Sequence, residues 1–217
     1  MNKDVVVTEQ TRLRRLHERG HFDRETIYSI LDAMPLCHVG FSLNDKPVVI
    51  PTFQWRDGDY IYWHGSKASR GIRASEGSDV CLTVSILDGM VVARSGMHHS
   101  ANFRSVMIFG RPSVVDDSMH KAESLNAFID ALYPGRSQTL RPMTDQEAKA
   151  TTVLRMPIDE ASAKIRDDGV HDDEEDYALP IWAGVIPIRH TVGAPIPDPR
   201  NVPGVNMPDH IKAFTMK

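Results

Sequence analysis

Residues 60–70 read Tyr-Ile-Tyr-Trp-His-Gly-Ser-Lys-Ala-Ser-Arg, and this stretch gives the strongest structural signal in the chain. Its first four residues have the aromatic and β-branched character of a strand, which then breaks into small residues, hydroxyl groups and positive charge. A strand that ends in this way presents the hydrogen-bond donors that a phosphate monoester requires. The stretch therefore predicts a β-strand that leads into an anion-binding turn.

The spacing after this strand favours a short helix over residues 67–75. Ser66, Ser69, Arg70 and Arg73 are three or four residues apart, so a helix would place them on one face. Arginine suits bidentate contacts with phosphate, and serine hydroxyls add further donors. An exposed polar turn fits the same spacing equally well, so the sequence leaves both interpretations open.

A second segment of this kind begins at residues 93–95, which read Ala-Arg-Ser. Asn102, Arg104 and Ser105 then precede an apolar run, and their groups could bond either a heterocycle or a phosphate. The rim of a hairpin is the alternative interpretation. The histidine pair at 98–99 predicts no metal site, because extended neighbours point to opposite faces and no nearby carboxylate or cysteine completes a set.

Short apolar runs separated by turn residues such as Asn44-Asp45, Asp57-Gly58 and Asp88-Gly89 dominate the middle of the chain. The predicted strands are Cys37–Leu43, Pro47–Trp55, Tyr60–Trp63, Val80–Leu87, Met90–Ala93, Arg104–Val115, Val153–Pro157 and Ile181–Ile188. Apolar stripes predict helices at 24–34 and 119–133. Consecutive strands with tight turns indicate an antiparallel sheet or barrel, so we predict a mainly β, α+β fold.

The 217 residues, 41% of them hydrophobic, fit one domain with a substantial core. Residues 1–22 are polar and basic, and we predict a solvated arm, with wrapping around a partner as the alternative. Residues 23–190 form the predicted domain. Residues 191–217 contain five prolines and are predicted to be an extended tail.

Composition also excludes several classes of function. A net charge of −4 argues against nonspecific nucleic-acid binding, which needs clustered Lys and Arg. Cys37 and Cys81 lack the spacing of a disulfide framework or a zinc site. The N-terminus has no signal-peptide core, and no segment has the roughly 18 apolar residues of a membrane helix. We therefore expect a cytoplasmic protein that contacts neither nucleic acid nor membrane.

Taken in order, these segments resemble the pyridoxamine 5′-phosphate oxidase-like family of FMN-binding split β-barrels. The likeness is strongest to the subgroup of nitroimidazole-resistance and flavin-nucleotide-binding proteins, and it spans residues 12–190. The segments that carry it are residues 28–32, 39–41, 47–52, 62–66 with Ser69-Arg70, 93–95, 98–100, 102–106 and 182–185.

The resemblance implies a six-stranded antiparallel split barrel that forms a homodimer, with FMN in clefts between the subunits. It implies backbone contacts to the flavin ring from Val49, Ile50, Pro51 and Thr52. It implies that His64, Gly65, Ser66, Ser69 and Arg70 contact the cofactor, with Ser69 and Arg70 at the phosphate. It further implies that Asn102, Phe103, Arg104 and Ser105 complete the flavin site and that Trp182 approaches from the second subunit.

The chain departs from the oxidase itself at two places. Phe53-Gln54 and Arg70-Gly71 stand where the oxidase has its ring-contacting lysine and its arginine-lysine pair, and the pattern after Trp182 lacks the substrate-binding arginine and histidine. Pyridoxine phosphate is therefore not the expected substrate.

The resemblance implies an FMN-dependent oxidoreductase that reduces a small planar acceptor such as a nitroaromatic, with NAD(P)H as a candidate donor. His64 is the candidate catalytic residue, because a histidine near the flavin is functional in the nitroimidazole-resistance branch. The alternative is a flavin or haem carrier or sensor without turnover, and the sequence does not decide whether F420 or haem replaces FMN.

Overall fold

The computed structural model describes residues 4–216, and its main feature is a ten-stranded sheet in which every strand pair is antiparallel. The strands are β1 (Gly20–His21), β2 (Leu36–Leu43), β3 (Lys46–Asp57), β4 (Tyr60–Ser66), β5 (Val80–Val92), β6 (Ser100–Gly110), β7 (Ser113–Val114), β8 (Thr151–Pro157), β9 (Glu160–Arg166) and β10 (Gly184–Pro187). The helices are α1 (Arg24–Ala33), α2 (Arg70–Ser75), α3 (Ser118–Leu132), α4 (Asp145–Ala150) and α5 (Asp209–Lys212).

The strands follow the order β1-β9-β6-β5-β2-β3-β4-β8-β7, with β10 beside β5. Strand β3 serves both halves of the sheet, since residues 46–53 pair with β2 and residues 54–57 pair with β4. A short connection, residues 111–112, joins β6 in one half of the sheet to β7 in the other half. No pairing joins the two ends of this order within residues 4–216, so the sheet forms a split rather than a closed barrel.

This architecture confirms the predicted mainly β, α+β split-barrel fold. The sheet has more strands than the predicted six because short strands, among them β1, β7 and β10, extend its edges. The hairpin between β2 and β3 turns at Asn44 and Asp45, whose φ angles of 52° and 60° fit a two-residue primed turn. None of the helices within residues 4–216 is long and apolar enough to span a membrane.

Two apolar clusters hold the sheet and helices together. The larger cluster fills the barrel and includes the fully buried Trp63, Leu82 and Leu154. The smaller cluster lies between the other face of β4 and helix α3, where Tyr62 and Val153 pack near Phe128. Because side chains alternate along a strand, β4 supplies Ile61 and Trp63 to one cluster and Tyr62 to the other.

The observed strands differ from the prediction in two places. Asp88-Gly89 is not a turn, because β5 runs through it as one strand with a register shift between Leu87 and Gly89. A bulge of this kind lets turn-forming residues lie within a strand. Strand β9, which the sequence pattern did not predict, follows β8 after a two-residue connection and pairs with β6.

The prediction that residues 1–22 form a solvated arm also needs correction, because the described part of this segment packs on the barrel. Val5 is only 4% exposed, its amide donates to the Phe22 carbonyl at 3.1 Å, and the Val6 amide donates to the Asp159 carbonyl at 2.7 Å. Strand β1 then pairs with β9. The predicted tail is mostly exposed, but Phe214 near its end lies 5.2 Å from the Tyr133 ring.

Candidate functional site

The turn from β4 into α2 is the centre of the candidate site. The Ser66 carbonyl accepts from the Ser69 amide at 2.8 Å, and the Ser66 hydroxyl accepts from the Ala68 amide at 3.2 Å. Ser69 is the N-cap of α2, and its hydroxyl accepts from the Ile72 amide at 3.5 Å. Serine at this position stabilises the helix start, so the local sequence fixes the turn.

Arg70 is the charged side chain that this turn leaves available. It is exposed at the first position of α2, and it makes no hydrogen bond or ion pair with any residue of the described chain. Arg73, by contrast, donates to the Ala68 carbonyl at 3.2 Å. Arg70 can therefore give two parallel N–H donors of its guanidinium to a bound anion.

The helix α2 also lies beside the strand predicted to contact the flavin ring. A Cβ atom at Gly71 would lie 2.9 Å from Ile50 Cδ1 and 3.5 Å from Phe41 Cζ. Such close packing places β3 directly next to the start of α2. The structure thus places Ile50 of the 49–52 segment against the first turn of α2.

His64 lies at the end of β4 on the face that α3 covers. Its ring centroid is 4.9 Å from that of Phe128 and 5.8 Å from that of Trp55, and its buried Nδ1 has no hydrogen-bond partner. Burial lowers the pKa of His64, so the imidazole is neutral near pH 7. A neutral ring can accept a proton or bind a metal ion more readily than it can donate a proton.

The segment 102–105 has side chains that are already engaged within the chain. Asn102 is buried, accepts a hydrogen bond from Arg166 and donates to the Asp168 carbonyl at 3.0 Å. Arg104 forms a two-pronged pair with Asp88 at 2.8 and 2.9 Å. The Phe103 ring and the Ser105 hydroxyl are partly buried, and Ser105 makes one long bond of 3.4 Å.

One chain does not bring this segment to the 49–52 segment. Strands β5 and β2 separate β6 from β3, which amounts to three strand spacings or about 14 Å. Trp182 precedes β10, which pairs with β5, and its side chain is 67% exposed.

The outer face of the sheet exposes several apolar side chains. Leu36 and Phe53 are register partners on β2 and β3, and both are exposed together with Val49 and Met107. Their alternating neighbours point into the core, as with the fully buried Cys37 and Val39. An apolar face of several strands is typical of an interaction surface.

A large cleft was not predicted from the sequence. It is a cleft of about 1400 Å³ that begins at Ser66 and Lys67 and extends between α3 and the 137–152 segment. The cations that line it are Lys67, Arg73, Lys121, Arg141 and Lys149. They come from four separate parts of the chain, so no local motif marks them.

A histidine-carboxylate cluster corrects one step of the sequence interpretation. His98, Asp172 and Asp176 have ligand atoms within 4.8 Å of one another, although no carboxylate lies near His98 in the sequence. Arg94 pairs with Asp172 at 3.0 Å and supplies the positive charge that the carboxylate needs. The carboxylate of Asp172 therefore already has a charged partner within the chain.

Comparisons with known proteins agree with the split-barrel fold. The family model described as pyridoxamine 5′-phosphate oxidase matches residues 23–165. The flavocytochrome Anf3 from Azotobacter vinelandii is 51% identical, with a TM-score of 0.94 over 97% of this chain and 98% of its own. An FAD and heme binding protein from Mycobacterium smegmatis is 34% identical, with a TM-score of 0.87 over 91% and 98%.

A protein described as a 5-nitroimidazole antibiotic resistance protein from Bacteroides thetaiotaomicron shares the fold at 22% identity. Its TM-score is 0.57 over 67% of this chain and 86% of its own. No curated protein sequence matches the chain significantly.

Proposed function

The chain belongs to the pyridoxamine 5′-phosphate oxidase family, and from this we propose that it is a redox protein that binds a flavin between two copies of itself. The observation that carries the proposal is the Ser66–Arg70 turn, whose Arg70 has no partner in the described chain and whose helix lies against β3. This arrangement fits a phosphate next to a flat ring.

The flavin, when bound, supplies two-electron redox chemistry, and the chain supplies binding and orientation. Ser66, Ser69 and Arg70 would hold the phosphate. Backbone groups of residues 49–52 would meet the polar edge of the ring. FMN is the cofactor that the family resemblance predicts, and FAD contains the same riboflavin phosphate, so this turn suits either flavin.

The second copy is part of the proposal. Residues 102–105 lie on β6, which β5 and β2 separate from residues 49–52 of β3, and the family resemblance places the two segments in a cleft between subunits. The exposed apolar face formed by Leu36, Val49, Phe53 and Met107 gives a surface on which two copies can pack. A homodimer would bring Trp182 of one copy towards the flavin of the other.

Haem is a second candidate cofactor. Two relatives, 51% and 34% identical to this chain, are a flavocytochrome and an FAD and heme binding protein. His64 has a buried Nδ1 without a hydrogen-bond partner, and a neutral imidazole is the form that binds iron. In that case His64 would be a ligand rather than a proton donor.

Absorbance of the purified protein tests this second candidate. We expect a Soret band together with flavin bands, and we expect His64→Ala to lose the Soret band while retaining the flavin. A Soret band of unchanged position and intensity in His64→Ala would show that His64 is not a haem ligand.

The reaction that the family resemblance implies is reduction of a small planar acceptor, with NAD(P)H as the candidate donor. The rival is a carrier or sensor without turnover. Steady-state oxidation of NADH or NADPH with a nitroaromatic acceptor separates the two, because only an oxidoreductase sustains many turnovers per flavin.

The experiment that tests flavin binding compares FMN with riboflavin by fluorescence titration. The two ligands share the ring and differ in the phosphate. We expect FMN to bind at least roughly 10-fold more tightly, because the phosphate adds charge-assisted hydrogen bonds. Equal affinities would show that the Ser66–Arg70 turn does not bind the flavin phosphate.

A further inference from the structure

Residues 189–206, which we call the strap, form a long exposed segment of the C-terminal tail. Every residue of the strap is exposed in the described chain. Its hydrogen bonds are all local, since Arg200 bonds to Asp198 and two backbone bonds close turns at residues 198–201 and 202–205. No hydrogen bond or ion pair within residues 4–216 therefore ties the strap to the rest of its own chain.

Both ends of the strap are fixed to the chain. Before it, β10 pairs with β5, and the Ile188 amide donates to the Asp88 carbonyl at 2.9 Å. After it, the Phe214 ring lies 5.2 Å from the Tyr133 ring, and Phe214 lines a small cavity together with Leu132. The strap is therefore a loop that is anchored at both ends and not a free terminus, so it can be held in place against a neighbouring surface.

The side chains of the strap are unlike those of a solvated linker. Ile196 is 94% exposed, and Val202 and Val205 are 70% and 65% exposed. Only three residues of the strap are charged at pH 7, and none is serine, whereas flexible linkers are rich in Gly and Ser. Its backbone is restricted by four prolines, at positions 195, 197, 199 and 203, so docking costs less conformational entropy. A pre-ordered segment with apolar side chains is typical of a protein-binding element.

The strap begins beside the exposed apolar face of the sheet. Ile186 of β10 is the register partner of Met90 on β5, so the two exposed side chains lie on the same side of the sheet. Met90 in turn pairs with Ala101 of β6, and Met107 follows on that side because six residues are three full periods of a strand. The strap therefore leaves its own chain next to the face on which two copies are proposed to pack.

We propose that the strap of each copy packs on the second copy of the chain, so that two exchanged straps hold the homodimer in addition to the apolar face. The inference rests on the homodimer of the proposed function and adds a second contact surface to it. Ile196, Val202 and Val205 are the side chains that the second copy covers. A symmetric dimer makes this contact twice, once for each strap.

The first test measures the dissociation constant of the full-length dimer, as purified, by sedimentation velocity over a range of concentrations. We expect Ile196→Asp/Val202→Asp to raise this constant at least roughly 10-fold, because two apolar contacts become buried charges. Far-ultraviolet circular dichroism should match the wild type, since both side chains are exposed within one chain. Met119→Asp changes an exposed methionine of α3 and should leave the dissociation constant unchanged.

The second test identifies what the strap contacts. The photoreactive amino acid p-benzoylphenylalanine, placed at position 196 of the full-length protein, bonds to a neighbouring C–H group on irradiation, and we expect covalent dimers. The same amino acid at position 119 should give none. Mixed dimers of isotope-labelled and unlabelled chains distinguish a bond between copies from a bond within one chain, because only the former joins a labelled peptide to an unlabelled one.

Each other outcome contradicts the inference. An unchanged dissociation constant in Ile196→Asp/Val202→Asp, or the absence of cross-links between copies, would show that the strap does not hold the second copy, while the proposed dimer stands. Cross-links that form only with a different protein, when cells are irradiated, would assign the strap to that partner instead. A wild-type protein that is monomeric at micromolar concentration would contradict the proposed homodimer itself, so the two failures are distinguishable.

Discussion

At the scale of single residues, the proposed flavin site depends on side chains that the fold leaves without partners. Arg70 is one of these, whereas Asn102 and Arg104, which the sequence placed beside the cofactor, hydrogen-bond to Arg166 and Asp88. The strand end and the turn after it could be predicted because their determinants are local, but α2 begins at Arg70 and not at residue 67, so Ser66 and Ser69 lie before the helix. The hydrogen bond between Arg166 and Asn102 could not be predicted, because Arg166 lies 64 residues further along the chain.

We predict that Arg70→Ala weakens FMN binding by about 1.5–3 kcal/mol, the range for a lost hydrogen bond to a charged group. Thermal unfolding of the flavin-free protein should be unchanged, because Arg70 is exposed and has no described partner. Arg111→Ala is the matched control, since it removes an exposed arginine that pairs with Asp79 away from the site. FMN affinity that is unchanged in Arg70→Ala would refute the phosphate assignment.

His64 predicts a pH dependence of stability. Its folded pKa lies below the ordinary value of about 6.5, so as the pH falls below that value the unfolded chain takes up a proton that the folded chain does not. The free energy of unfolding should therefore decrease between about pH 6.5 and pH 5. Urea unfolding of the flavin-free protein measures the change.

In His64→Gln this decrease should be smaller, because glutamine does not titrate. His190→Gln changes an exposed histidine and should leave the decrease as it is in the wild type. An identical pH dependence in His64→Gln and the wild type would show that His64 does not contribute.

At the scale of secondary-structure elements, the sequence predicted elements with strong local signals and missed those that depend on distant contacts. The helices α1 and α3 and the hairpin at Asn44-Asp45 follow from apolar stripes, caps and turn residues. Strand β9 and the docked N-terminal segment have weaker patterns, and their backbone groups are satisfied by other strands. The cleft was missed for the same reason, because its cations converge only in the folded chain.

The docked N-terminal segment gives a stability prediction. Val5→Ala should lower the free energy of unfolding by about 1.5 kcal/mol or more, because it removes two buried methyl groups and leaves a gap in the barrel core. Val6→Ala is the control, since Val6 is largely exposed and should change little. Equal effects of the two substitutions in urea unfolding would contradict the observed docking.

At the scale of the whole molecule, the predicted site residues fall into two groups. The phosphate turn lies against Ile50, whereas residues 102–105 lie on β6, three strand spacings away. The family resemblance predicts a dimer that would bring the two groups together. The exposed apolar residues of β2, β3 and β6 offer a surface for this dimer, and their exposure could not be derived from the sequence.

We predict a homodimer whose interface buries upward of roughly 2,000 Å² in total, as obligate dimers do. Val49→Lys should convert it to a monomer in light scattering, because it places like charges on both copies of the apolar face, and flavin occupancy should fall with dimer content. Met119→Lys changes an exposed methionine on α3 and should leave the dimer intact. A wild-type monomer with full flavin occupancy would contradict the shared site.

The central claim is that this chain holds a flavin, and the most direct measurement is the mass of the small molecule released when the native protein is denatured. We predict the mass of FMN or FAD, at one flavin per chain, with release of haem as well if His64 is a haem ligand. A protein that releases no flavin, and that takes up neither FAD nor FMN when they are added, would contradict it.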